Sequence, residues 1–287
     1  MPELPEVEIV KRSLSKIANK AKIIDIKIKN KNLRYKIPKF FKKKLLNHNI
    51  LRVSRRSKYI IFHFKNKFLL LHLGMTGKLL FFKKKYTTIF KTSFYHDLNI
   101  LPKHNHIFFI LSNNLTLVYN DVRRFGFFKI YENKKLNEIS FLSKLGVEPL
   151  NKKLNYKYFK KIIKNRKKNI KNILMDQTLI CGLGNIYVSE ALFLAKINPL
   201  RLSYSLKNRE IKNIIKNIKL ILKLSIAKGG SSIKDFKNTF GKNGKFQQYF
   251  NVYGRNNKNC SRTSCTGEIK KILISNRSSF YCSSCQK

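Results

Sequence analysis

Residues 58–74, KYIIFHFKNKFLLLHLG, decide how the first half of the chain folds. Two apolar runs flank a polar KN turn, the pattern of an antiparallel hairpin with buried faces. The same pattern extends outward: HIFFIL and LTLVYN flank SNN, IIDIKIK alternates apolar and charged residues, and FGFFKIYE adds a further strand, so a β-sandwich is expected. Ahead of these strands, Val7, Val10, Leu14 and Ile17 recur at helical spacing behind Pro5, which predicts a helix close to the N-terminus. From about residue 132 the spacing turns helical, through ENKKLNEISFLSKLGVEPLN, KYFKKIIKNRKKNIKNILM and IYVSEALFLAK. A long helix from Ser205 follows, with Ile211, Ile214, Ile215, Ile218, Leu222 and Ile226 on one face and a stop at Gly229 and Gly230. The class is therefore α+β, with a helix and β-sandwich over 1–132, a helical domain over 133–250 and a cysteine-bearing hairpin over 251–287.

Lys and Arg number 62 against 14 Asp and Glu, a formal charge of +48 in 287 residues. Clustered cations displace counterions from phosphate backbones, so nucleic acid leads membrane as the expected partner. The longest apolar runs, FLLLHLGM and IFFIL, fall short of a bilayer span, and the first residues carry no apolar signal segment. A cytoplasmic, nucleoid-associated location is expected. Lys, Asn, Ile and Phe are heavily used while Ala and Pro are scarce, as base-composition bias would produce, so runs such as FFKKK read as solvated faces. Acidic residues and glycines resist that drift and carry more information.

Cys181 stands alone, whereas Cys260, Cys265, Cys282 and Cys285 are spaced C-x4-C-x16-C-x2-C. Two thiolate pairs around a hairpin-length insert suit one tetrahedral structural zinc ion, and a segment this small needs such a staple; free thiols are the ordinary alternative. Between the pairs, GEIKKILIS and SSFYC read as two strands with NR at the turn, which places Arg277 at the tip.

The opening MPELPEVEIV gathers Glu3, Glu6 and Glu8 beside two prolines in a chain poor in acid. With Met1 removed, Pro2 becomes a secondary amine titrating near neutrality, able to attack an anomeric carbon and leave a cationic iminium, with Glu3 as proton carrier. Alternatively the prolines lead into a helix and the glutamates complement its dipole.

MPELPEVE, RRSKY at 55–59, HLGMTG at 72–77, DVRRFG at 121–126, MDQTLICGLGNIYVSEALF, GGSSIKDF at 229–236, VYGR at 252–255 and the terminal NRSSFYCSSCQK occur in order. Together they resemble the formamidopyrimidine-DNA glycosylase family, nearly end to end. That resemblance implies a β-sandwich, a helix–two-turn–helix domain and a zinc ribbon gripping double-stranded DNA as a monomer. It also implies excision of oxidised purines, with strand cleavage by β- and δ-elimination. By the same likeness Pro2 is the nucleophile, Glu3 the acid/base and Lys58 the catalytic lysine. His72, His104, Asn185 and Arg277 would contact DNA, and Met75, Arg123 and Phe125 would fill the void left by an everted base. Away from the motif Met75 and Phe125 would read as core residues. Glu6, Glu190 and Lys234 would face the lesion or its covering loop; ordinary helix or loop charge is the competing explanation.

Three departures stand out. Val122 replaces the family's usual proline, the first cysteine pair is C-x4-C in place of C-x2-C, and FGKNGKFQQYFNVYGR matches only at its end. Two rivals remain open. One is an endonuclease VIII-like enzyme acting on oxidised pyrimidines, disfavoured by Leu4 where that branch has glycine; the other is a zinc-containing nucleic-acid-binding protein without catalysis.

Overall fold

A computed structural model of the chain describes residues 1–83, 88–89, 101–231 and 246–287. They fall into two compact units, Met1–Ser143 with Lys228–Gln247, and Lys144–Ala227 with Gln248–Lys287.

The first unit contains α1 (Leu4–Ala18), β1 (Ile23–Ile28), α2 (Phe41–Leu45), β2 (Arg52–Arg56), β3 (Tyr59–His63) and β4 (Lys67–His72). It continues through β5 (Lys78–Lys83), β6 (Thr88–Ile89), β7 (Asn105–Leu111), β8 (Leu115–Asn120), β9 (Phe127–Glu132) and the one-turn α3 (Ser140–Ser143). The strands make two antiparallel sheets, β1-β7-β8-β5-β6 and β2-β3-β4-β9. One apolar core unites residues of both sheets, including Ile60, Phe62, Leu69, Leu71, Leu80, Phe109 and Val118, with Val7, Val10 and Leu14 of α1. Burying each such apolar side chain is worth about 1.5–3 kcal/mol, which is why the run 58–74 reads so clearly as a hairpin. Its register pairs Ile61 with Leu70 and Phe62 with Leu69.

Two expectations need correction. In IIDIKIK, strict alternation would bury Ile24; a register shift between Ile23 and Asp25 instead buries Ile23 and Ile26 and leaves Ile24 exposed. The helical spacing after residue 132 yields a 3-10 turn at Leu136–Glu138 and the single turn α3, because Phe141 packs with Tyr35, Tyr59 and Phe127 and Gly146 sits too close to Leu179 and Thr178 to accept a side chain.

The second unit holds α4 (Tyr156–Ile163), α5 (Ile170–Met175), α6 (Asn185–Ala195), α7 (Asn208–Ala227) and the hairpin β10 (Ile269–Ile274) with β11 (Arg277–Cys282). The stretch KYFKKIIKNRKKNIKNILM is two helices, broken where Asn165 takes a positive φ of 60°. Each has its own cap: Asn155 Oδ1 accepts from the amide of Tyr158, and Asn169 Oδ1 from that of Asn172. The β-sandwich, the helical domain and the cysteine-bearing hairpin are thus all present. Among the described residues no helix is long and apolar enough to cross a membrane.

Candidate active site and nucleic-acid interface

Pro2 and Glu3 are buried at the start of α1. Glu3 is its N-cap, with a reciprocal capping box in which the Glu3 amide donates to Glu6 Oε2 at 2.9 Å and the Glu6 amide donates to the Glu3 side chain. Glu6 Oε1 accepts from both the amide and the hydroxyl of Ser231, at 3.0 and 2.9 Å, tying the segment that follows Gly230 to the head of α1. A side chain on Gly230, whose φ is +80°, would crowd Ile9 and Glu6. Lys234 lies outside the described residues.

Lys58 occupies the β2–β3 turn beside Ser57, whose φ is 55°; both are buried. The turn is tied to α1, since Arg55 donates from Nη1 to the Ser57 carbonyl at 2.8 Å and from Nε to Glu8 Oε2 at 2.9 Å. His72, at the end of β4, stacks on Phe127 and accepts at Nδ1 from the Gly74 amide at 3.1 Å. Burial, with Lys58 and Arg34 nearby, lowers its pKa to about 4. It is neutral near pH 7, so Nε2 carries the proton and is the atom that can donate to phosphate.

The loops HLGMTG and DVRRFG meet. Arg123 donates from Nη1 to Met75 Sδ at 3.1 Å, and its guanidinium lies 4.5 Å from the centre of the Phe125 ring. Phe125 is 42% exposed, Arg123 is exposed and Met75 is half-buried, which sets this trio apart from the core. Glycines allow the approach: a side chain at Gly126 would meet Tyr119 Oη, and one at Gly74, with φ +66°, would meet the Gly126 backbone. His104, half-buried, accepts from the Asp121 amide at 3.0 Å through its carbonyl.

In the second unit Asn185 opens α6 and its Nδ2 donates to the Ser278 carbonyl at 2.7 Å. Ser278 follows Arg277, which is exposed at the start of β11. Ser275 and Asn276, not Arg277, make the turn, with φ of 48° and 57°, the two positive values a tight hairpin turn requires. That bond brings the start of β11, next to Arg277, to the N-terminus of α6, a place suited to an anion. Glu190, wholly buried, accepts from the amides of Asn251, Val252 and Tyr253 and from Asn251 Nδ2, all at 2.9–3.0 Å. Four donors converge on this carboxylate and hold residues 251–253 on α6.

The sulfurs of Cys260, Cys265, Cys282 and Cys285 all lie within 4.8 Å of one another, with Cys265–Cys282 at 3.6 Å and Cys260–Cys285 at 3.9 Å. Zinc–sulfur bonds of about 2.3 Å in a tetrahedron give sulfur separations of about 3.8 Å. The residues therefore fit a metal ion of this kind. Burial and the neighbouring sulfurs of Cys282 and Cys260 push the Cys285 thiol up to about 12. Burial also opposes ionisation of Cys282, but the amides of Cys285 and Ser284 donate to its sulfur and bring it down to about 7. A small core of Phe193, Val252, Ile269 and Cys282 backs the cluster. Within the four-residue insert Arg262 donates to the carbonyls of Phe193 and Leu194, at 2.7 and 3.3 Å, and stacks over Phe193. The longer first loop is thus docked by a cation at the negative end of α6, a role the sequence signalled merely as an arginine between two cysteines.

Residues 1–128 match the model of the formamidopyrimidine-DNA glycosylase N-terminal domain, and residues 145–237 that of the formamidopyrimidine-DNA glycosylase H2TH domain. The chain is 42% identical to the formamidopyrimidine-DNA glycosylase of Rickettsia felis over 287 residues, covering 100% of this chain and 98% of that one. It is 40% identical to the Bartonella tribocorum protein of the same name, with 100% of both covered. Among solved structures it resembles a Lactococcus lactis Fpg variant in complex with a Fapy-dG containing DNA, at TM-score 0.87, 34% identity and full coverage of both chains. The same enzyme with an abasic site containing DNA matches at TM-score 0.86 and 34% identity over 99% of each. Since its fold, its ordered motifs and its full-length relatives agree, the chain belongs to the formamidopyrimidine-DNA glycosylase family.

Proposed function

We propose that the protein excises oxidised purines, 8-oxoguanine and formamidopyrimidines, from duplex DNA and then cleaves the strand as an AP lyase. The observation that carries this is the head of α1, where buried Pro2 adjoins a Glu3 fixed by a reciprocal capping box. Full-length similarity to enzymes named for this activity supports it.

Once Met1 is removed, the Pro2 nitrogen attacks the anomeric carbon while Glu3 passes a proton to the sugar ring oxygen, and the base departs. The iminium acidifies the adjacent C–H, which leads through β- and δ-elimination to a one-nucleoside gap. Lys58 supplies positive charge close to the reacting sugar; His72, His104, Asn185 and Arg277 engage the backbone. Met75, Arg123 and Phe125 occupy the space of the everted base, offsetting the few kcal/mol of lost stacking. Glu6 and Glu190 serve the lesion side by holding the segments at Ser231 and 251–253, and Lys234 belongs to the covering loop. The chemistry belongs to residues 1–132, most backbone grip to 133–250 and 251–287. In that last segment Cys260, Cys265, Cys282 and Cys285 hold zinc, which supplies folding energy and no step of the reaction.

Borohydride trapping on a duplex containing 8-oxoguanine tests this. A covalent adduct is expected for the wild type, and its loss for Pro2→Gly and Glu3→Gln. Adduct formation undiminished in Pro2→Gly overturns the assignment. Excision faster from thymine glycol than from 8-oxoguanine would move the enzyme to the pyrimidine branch. Wild-type Lactococcus lactis Fpg has itself been crystallised with an oxidised pyrimidine containing DNA, which makes that comparison worth running.

A further inference from the structure

Asp121 is 0% exposed, and in so acid-poor a chain a buried carboxylate is a costly choice. Its oxygens face donors from three directions. Oδ1 accepts from Thr76 Oγ1 at 2.5 Å, and Oδ2 accepts from Tyr119 Oη and from the Gly126 amide, both at 2.9 Å. Thr76 in turn accepts at Oγ1 from the Arg123 amide at 3.1 Å. The backbone of Asp121 is held as well, its amide by the His104 carbonyl at 3.0 Å and its carbonyl by His106 Nε2 at 2.8 Å. One carboxylate thus spans the loop of Met75 and the loop of Arg123 and Phe125.

An amide or an apolar side chain of this size could not accept three donors through two atoms, whereas an ionised carboxylate accepts all of them. Arg124, at φ 55°, gives a backbone turn without proline at 122 that needs outside support. Thr76 and Asp121 provide it.

We propose that Asp121 is the positioning residue of the void-filling trio, fixing through Thr76 and Gly126 the separation of the two loops that place Met75, Arg123 and Phe125. This rests on the function proposed above. Asp121 touches neither DNA nor the reacting atoms; it acts by keeping the trio preorganised, where a displacement of about 1 Å is costly. Its effect should therefore appear where a base must be everted and a void filled, and vanish where there is no void.

The test compares single-turnover cleavage of an 8-oxoguanine·cytosine duplex with cleavage of a single-stranded oligonucleotide carrying an abasic site. Thr76→Val keeps the shape and removes the hydroxyl; Asp121→Asn removes one acceptor; Thr76→Ser restores the link. The ratio of duplex to single-strand rate is expected to fall about tenfold in Thr76→Val and Asp121→Asn, the equivalent of ~1.4 kcal/mol, and to stay within about twofold of wild type in Thr76→Ser. Should Asp121→Asn fail to fold, Thr76→Val decides. A parallel fall of both rates, or an unaltered ratio, overturns the positioning role. A wild type that cuts neither substrate overturns the underlying function instead, so the two failures are distinct.

Discussion

Glu8 and Arg55 form an ion pair of 2.9 Å with side chains only 13% and 11% exposed, and through it α1 grips the turn that bears Lys58. Lys11 and Arg12 share the other carboxylate oxygen, at 2.8 and 3.0 Å. Burial opposes ionisation of Glu8, but the bonds from Lys11 and Arg55 outweigh it and hold its pKa below the ordinary carboxylate range. Its stabilisation is therefore complete above the unfolded value of about 4.3 and is lost as pH falls below it. Glu8→Gln should cost about 1–3 kcal/mol at pH 7, between the exposed and buried limits. Urea titrations at pH 7 and pH 3.5 check this: the difference between wild type and variant should shrink at the lower pH.

Two histidines set a second pH window. Burial, with Arg52 beside it, lowers His63 to about 4, the same value as His72. An unfolded histidine takes up its proton near 6.5, so stability is full above that pH and declines toward 4 as the unfolded chain is protonated first. His63→Asn should flatten that decline by about half, read from unfolding curves across the range. The His72 ring should show no titration by NMR between pH 8 and 5.

Gly126→Ala should be strongly destabilising. The added methyl would collide with the buried Tyr119 hydroxyl and lie 2.7 Å from the His72 carbonyl. A cost of about 3 kcal/mol or more is expected, since such overpacking must move backbone. Thermal melting measures it, and Gly126→Ala with Tyr119→Phe should recover part of the loss.

Glu190→Gln replaces one acceptor oxygen with an amide facing the N–H groups of Asn251, Val252 or Tyr253. About 2–4 kcal/mol should be lost, and the melting temperature should drop without change in zinc content.

Elemental analysis should find one zinc per chain in the wild type and less than about half an equivalent in Cys265→Ser. Arg262→Ala should retain the metal yet lose about 1–2 kcal/mol, the value of a cation capping a helix C-terminus and stacking on an aromatic ring. Metal uptake should release protons, because thiols such as that of Cys285 stay protonated without it.

The sequence by itself determined what depends on local periodicity and residue type. Val7, Val10 and Leu14 mark α1, the run 58–74 marks the β3–β4 hairpin, and four cysteines mark a metal-binding cluster. Each is read within a short window, because helix period, strand burial and thiolate chemistry are local properties. Its failures came where distant contacts override spacing, as at the register shift in β1 and the single turn of α3. What tertiary structure alone decided is who holds whom. Asp121 lies in DVRRFG, and its task is set by Thr76, Tyr119 and Gly126, which converge on it in the fold. That Glu190 braces residues 251–253 against α6 likewise depends on its four donors, all of them some sixty residues away in sequence. A buried carboxylate is defined by the donors around it, and those arrive from parts of the chain that no short window of sequence brings together.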